Sequence, residues 1–174
     1  MEERNMVSSA DVARDMFDAL SKRDLDTALA HHAEDSVDDF VAIGELRGRK
    51  AIRRFFEELL DAFPDFRITV ERIVGDERAA AVQWRAAGSF SGGPFQGIQA
   101  TGRRVEIRGV DVMEIEAGQV RHNTIYYDGA SFARQVGMLP RTDSVPEKAM
   151  LSTFNALTRA RQRLNRTERP TTAP

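Results

Sequence analysis

The chain has 174 residues, 41% of them hydrophobic and 30% charged, with a formal net charge of −2 and no cysteine. That length fits one domain with room for a tail, and the apolar content excludes wholesale disorder. The missing cysteines exclude disulfides, thiolate zinc sites and thiol nucleophiles and fit a reducing cytoplasm, and the small net charge gives no electrostatic case for nucleic acid. Met1–Asn5 is charged and no apolar h-region follows, so no secretory leader is expected, and no apolar run approaches a membrane span. Charge is unevenly placed. From Arg141 onward seven Lys and Arg face three Asp and Glu, a net of +4, which leaves −6 on the preceding part. A basic extension on an acidic body either docks on the body or a second subunit, or stays solvated.

In chain order, Ser8-Ser9-Ala10-Asp11 has the form of a capping box, and Val12, Met16, Phe17 and Leu20 follow at helical spacing. A break at Ser21–Asp24 precedes a short helix from Leu25 to about His31. The pair His31-His32 with Glu34 and Asp35 imitates metal ligands, but adjacent histidines diverge on a helix, so this stretch reads as a solvated helix end, and no metal site is expected. Val37, Asp39, Val41 and Ile43 share one face of a strand, and Gly44 and Gly48 bracket a turn. Ile52, Phe55, Phe56, Leu59, Leu60 and Phe63 mark an amphipathic helix that Pro64 stops. Strand patterns follow: Phe66–Val74, a hairpin at Gly75-Asp76-Glu77, then Ala79–Ala87 with Trp84. Gly88–Gly102 reads as a loop, Arg103–Ile115 alternates, Ala117-Gly118 turns, and Val120–Tyr127 alternates again. Helices first and hairpins after argue for an α+β fold with helices on one side of an antiparallel sheet. Beyond Pro140, Ser144–Glu147 starts a helix with a sparse apolar stripe, Met150, Phe154, Leu157 and Leu164. Arg169–Pro174 reads as disordered. The expected division is residues 1–140 as the domain and 141–174 as a basic, partly helical extension.

The informative positions are polar residues where the pattern demands apolar ones. Asp39 shares its face with Val37, Val41 and Ile43. Asp111 shares its face with Val105, Ile107, Met113 and Ile115. Burial raises a carboxyl pKa, which suits a general acid or base, although a buried aspartate can equally be tied down as a structural group. On the last strand His122, Thr124, Tyr126 and Asp128 share a face. His122 is then a proton relay and Tyr126 a hydrogen-bond donor to a substrate oxygen. A bulge in this strand would instead turn Tyr127 inward. Trp84 is the expected wall for a ring system, with Met16 and Phe56 as further binding candidates.

Several of these segments carry a family resemblance. The run Gly97-Ile98-Gln99-Ala100-Thr101-Gly102-Arg103-Arg104-Val105-Glu106, then Gly109-Val110-Asp111, Ala117-Gly118-Gln119-Val120, Tyr127-Asp128 and Gln135-Val136-Gly137, resembles the SnoaL-like polyketide cyclase group of the nuclear-transport-factor-2-like superfamily. Arg23-Asp24-Leu25 and the aromatic-rich helix after Gly48 are similar to it as well, so the likeness covers about residues 8 to 140. It implies a cone-shaped fold, a strongly bent sheet closed by helices around a pocket, and a dimer formed through the open sheet face, where Arg67, Thr69, Arg85 and Arg108 are polar candidates. It implies cofactor-independent proton transfer on an apolar cyclic or polyketide-like molecule, with Asp128 at the position of the cyclase acid/base. Ser89-Phe90 stands where cyclases carry a histidine. Ketosteroid isomerases of the superfamily place a base near Asp35–Asp39 and a protonated aspartate at Asp111, with Met16 standing where they carry tyrosine. An epoxide-hydrolase set from Asp111, Arg108 and Asp128 ranks third. The expected enzyme is thus a cyclase or isomerase using Asp128, Asp39, Asp111 and His122. The alternative is a non-catalytic small-molecule-binding or dimerisation module of the same fold.

Overall fold

A computed structural model describes residues 8–167, with side chains through Leu164. The charged start, Met1–Asn5, and the segment expected to be disordered, Arg169–Pro174, lie outside the described residues. Helix α1 (Ser9–Ser21) begins as its sequence predicts: Ser8 Oγ accepts from Asp11 N at 3.2 Å and donates to Asp11 Oδ2 at 2.7 Å. Val12, Ala13, Met16, Phe17 and Leu20 form its buried stripe. At the break, Arg23 adopts the left-handed conformation, φ 63°. That strained backbone aims its guanidinium at the C-terminal end of α3 (Arg49–Ala62), where it donates to Leu60 O and Pro64 O, both at 2.9 Å. Asp24 then caps α2 (Leu25–Ala30) through Thr27 N. Arg23-Asp24-Leu25 therefore locks the first two helices to the third.

The strands are β1 (His32–Phe40), β2 (Gly44–Arg47), β3 (Arg67–Gly75), β4 (Ala79–Ser89), β5 (Arg104–Glu116) and β6 (Gln119–Tyr127), followed by α4 (Gly129–Val136) and α5 (Val145–Thr167). They form one curled six-stranded sheet in the order β2-β1-β6-β5-β4-β3, antiparallel except for β1 beside β6. The fold is α+β with N-terminal helices, as the pattern implies, and its sheet is bent, as the family resemblance implies. Ala117 and Gly118, both at positive φ, make the tight β5–β6 turn. The inner face of the sheet carries Ala80, Val82, Trp84 and Ala86 on β4 and Val105, Met113 and Ile115 on β5. It packs against α1 and α3 to build the core.

Two irregularities decide which residues face inward. Against β5, the β6 register advances from Val120 to His122 while β5 moves one residue, from Ile115 to Glu114. This bulge reverses the alternation, so Asn123 and Ile125 are buried and Tyr126 is 50% exposed. On β1, the register against β6 also breaks between His32 and Val37. There Ser36, Asp38 and Phe40 are buried, whereas Val41 and Ile43 beyond the strand are exposed.

Helix α5 is tied near its start: Glu147 accepts from Asp143 N at 2.6 Å and lies 3.6 Å from Arg134. Its stripe of Met150, Phe154 and Leu157 is exposed. Among the described residues no helix is long and apolar enough to cross a membrane.

Gly109 links this architecture to the interior. It pairs with Trp84 across β4 and β5, and the indole lies over it. A Cβ there would collide with Cζ2 of Trp84 and stand 2.7 Å from the backbone oxygen of Tyr126. Gly109→Ala is expected to destabilise the fold by about 1–3 kcal/mol through overpacking. It also shifts the emission of Trp84, the sole tryptophan. Denaturant melts followed by that fluorescence check both, and an unchanged midpoint and spectrum would contradict the packing.

Candidate functional site

The curled sheet, α1, α2 and α3 enclose a cavity of about 110 Å³. Its walls are apolar. Met16 and Leu20 come from α1, Phe55 and Phe56 from α3, and Ile107 from β5. Phenylalanine rings run in a chain along it: Phe40–Phe55 at 4.5 Å between centroids, Phe55–Phe95 at 5.6 Å and Phe95–Phe132 at 6.1 Å. Phe95 is supplied by the Gly88–Gly102 loop, which is stitched down by Gly92 N to Ala62 O and Gln96 N to Glu58 Oε1. The loop thus contributes a cavity wall.

Polar groups enter from one side only, along the sheet. Asp111 is buried, with Oδ1 accepting from Trp84 Nε1 at 2.7 Å and Oδ2 accepting from Asn123 Nδ2 at 2.9 Å. Burial pushes its carboxyl up to about 7. The two donors pull the other way, the nearby Asp38 charge pushes further up, and His32 pulls slightly down. Next to this group, Asp38 and His32 are both buried and both line the cavity. His32 Nε2 lies 3.3 Å from Asp38 Oδ1, close enough for an ion pair but not aligned as a hydrogen bond. Tyr127 also lines the cavity, and partial burial raises its phenol pKa.

The arrangement can hold a proton on Asp111 near neutrality and present it to an apolar guest. Its two donors, Trp84 and Asn123, fix where that carboxyl stands. Groups of three or more His, Asp or Glu that could hold a metal ion are not found among the described residues.

The sequence-predicted residues divide accordingly. Asp111, Trp84, Met16 and Phe56 line the cavity. Four others do not. Asp39 is half-buried on the opposite face of β1, because the inward set there is Ser36, Asp38 and Phe40. His122 and Tyr126 lie on the outer face because of the β6 bulge, and the bulged alternative, with Tyr127 inward, is the one observed. Asp128 is exposed and caps α4, its Oδ1 accepting from Ser131 N at 2.9 Å. His32, read as part of a solvated helix end, is instead a buried β1 residue. Asp38, His32 and Asn123 are the groups the alternation missed, and Tyr127 was reached only through the bulged alternative. Their signal was the second phase of each strand: Ser36-Asp38-Phe40 and Asn123-Ile125-Tyr127 alternate as well as the phases chosen.

The family model for SnoaL-like polyketide cyclases matches residues 10–136. Among solved structures, AclR from Streptomyces galilaeus, a proposed hydroxylase, is 24% identical with a TM-score of 0.69, covering 90% of this chain and 98% of that one. A proposed SnoaL-like polyketide cyclase from Jannaschia sp. CCS1 is 19% identical with a TM-score of 0.68, over 80% and 100%. IdmH from Streptomyces antibioticus, a proposed polyketide cyclase, is 23% identical with a TM-score of 0.63, over 74% and 98%. At these identities the structures establish the fold. None of the curated proteins matches the chain.

Asp111 ties stability to pH. A carboxyl that binds its proton more tightly folded than unfolded favours the fold below about 3.8, and that contribution is lost as pH rises through about 7. The shift corresponds to roughly 4 kcal/mol at most. Relative to Asp111→Asn, the wild-type protein is therefore expected to lose stability between pH 4 and pH 7 and to run parallel above pH 8. Urea denaturation of both proteins across that range checks it, since carboxylates remote from Asp111 cancel in the difference. Parallel curves throughout would contradict the burial argument.

Proposed function

The chain belongs to the SnoaL-like polyketide cyclase family, and on that premise we propose that it is a cofactor-independent cyclase or isomerase whose acid/base is Asp111. The observation that carries this reading is a buried carboxyl, held by Trp84 and Asn123 and raised to about 7, on the polar strip of a largely apolar cavity. The substrate class is a largely apolar cyclic or polyketide-like molecule bearing a carbonyl. Asp111 as carboxylate takes a proton from the carbon next to that carbonyl, forming an enolate. The same carboxyl then returns the proton. Return to a second carbon moves a double bond. Alternatively, the enolate carbon attacks another carbonyl, a C–C bond closes a ring, and the proton goes to the new alkoxide. Both balance without an oxidant or a metal. Trp84 and Asn123 position the carboxyl through hydrogen bonds, and Trp84, Met16 and Phe56 hold the skeleton.

The test is a pair of variants assayed on such a substrate. Asp111→Asn is expected to lower turnover at least about 100-fold, the usual weight of an acid/base group. Asp128→Ala is expected to cost about 1 kcal/mol of stability as a lost helix cap, with turnover within a few-fold. Full activity in the first variant, or a loss in the second matching that expected of the first, would overturn the assignment and return the role to Asp128.

A dimer through the outer sheet face is a second part of the proposal. Val74, Val112 and Tyr126 are exposed there at 48%, 40% and 50%. Beside them Glu71 bridges Arg85 at 3.1 Å and Arg108 at 2.6 Å. An apolar centre with a paired polar rim is the anatomy of an interface. Sedimentation is expected to show a dimer for the wild type and a monomer for Val112→Arg with unchanged circular dichroism. A monomeric wild type at micromolar concentration would contradict it.

A further inference from the structure

Three cavity-lining side chains beside Asp111 carry polar atoms with no hydrogen-bond partner among the described residues: Nδ1 and Nε2 of His32, Oδ1 of Asp38 and Oδ1 of Asn123. All three residues are at most 2% exposed. They are adjacent by construction, since Asp38 pairs with Asn123 across β1 and β6. Asn123 gives one amide N–H to Asp111, and its carbonyl oxygen is left without a partner. Buried polar atoms are expensive to leave without a hydrogen bond; His32 Nε2 and Asp38 Oδ1 stand 3.3 Å apart without forming one, and these four atoms on one cavity wall amount to a recognition surface for a polar group.

The inventory defines that group. An imidazole always offers at least one N–H, while the Asp38 and Asn123 oxygens only accept. A guest must therefore both accept and donate. A bare ketone leaves the two oxygens unsatisfied, and an ammonium cannot accept from His32. A hydroxyl does both. We infer that His32, Asp38 and Asn123 form a second polar subsite that binds a phenolic or enolic hydroxyl of an apolar ring compound. This rests on the reading of the cavity as a small-molecule site. The preferred substrates then carry two oxygen functions along one edge, a carbonyl whose neighbouring carbon meets Asp111 and a hydroxyl at His32 and Asp38, with the rest of the skeleton against the phenylalanines. His32 and Asp38 are binding residues in this scheme and take no part in the proton transfer.

The test uses matched single-ring probes, 4-ethylphenol and ethylbenzene, titrated into the full chain and followed by two-dimensional protein NMR. The wild type is expected to bind the phenol at least about fivefold more tightly, the worth of one hydrogen bond. His32→Phe and Asp38→Leu are expected to abolish that preference while leaving ethylbenzene binding within about twofold, which also shows that each variant folds and keeps its cavity. No preference in the wild type would overturn the subsite. So would a preference that survives in both variants but disappears in Asp111→Asn. In either case the acid/base role of Asp111 still stands. If neither probe binds the wild type, the cavity itself is not a ligand site, and this inference falls together with the proposed function.

Discussion

The structure turns on the burial of one carboxyl. Asp111 sits on the inward face of β5, where a charge is costly, and two donors from neighbouring strands hold it: Trp84 on β4 and Asn123 on β6. Each donor depends on a backbone detail. The Trp84 indole reaches Asp111 because Gly109 has no side chain beneath it. Asn123 faces inward because β6 bulges just before it. The carboxyl, the glycine and the bulge are therefore one unit. Changing any of them alters the geometry in which a proton would be held.

Around this unit the molecule separates its chemistry spatially. Helices and the Phe95 loop supply an apolar shell, and the sheet supplies the polar strip. Arg23, strained into the left-handed region, keeps α3 and its phenylalanines in place by binding the carbonyls at its end. Asp128 serves the same end locally by starting α4, which carries Phe132 to the cavity. Both residues act on backbone here, Arg23 on the carbonyls at the end of α3 and Asp128 on the first turn of α4.

The fold was legible in the sequence because helix caps, apolar stripes and tight turns are local signals. The Ser8 cap, the α3 stripe and the Ala117-Gly118 turn all form as read. Asp111 was legible for the same reason, since β5 alternates without interruption over its inner residues. Asp39, His122, Tyr126 and Asp128 were misplaced because strand phase is not local. A single inserted residue flips every side chain after it. Val41 and Ile43 reinforced the wrong phase on β1, because they lie past the strand and are exposed. The β1 break arises against β6 and the β6 bulge against β5, long-range pairings that composition and alternation do not encode. Asn123 could not have been identified as a partner for Asp111 without that pairing.

The central claim is that Asp111 holds its proton near neutral pH inside the folded protein. The most direct measurement is the ¹³C chemical shift of its carboxyl carbon, followed by NMR from pH 3 to pH 9 and assigned by its absence in Asp111→Asn. A titration midpoint at about 7 is predicted. A midpoint near the ordinary aspartate value of about 3.9 would mean the group is ionised throughout the working range, and would contradict the account.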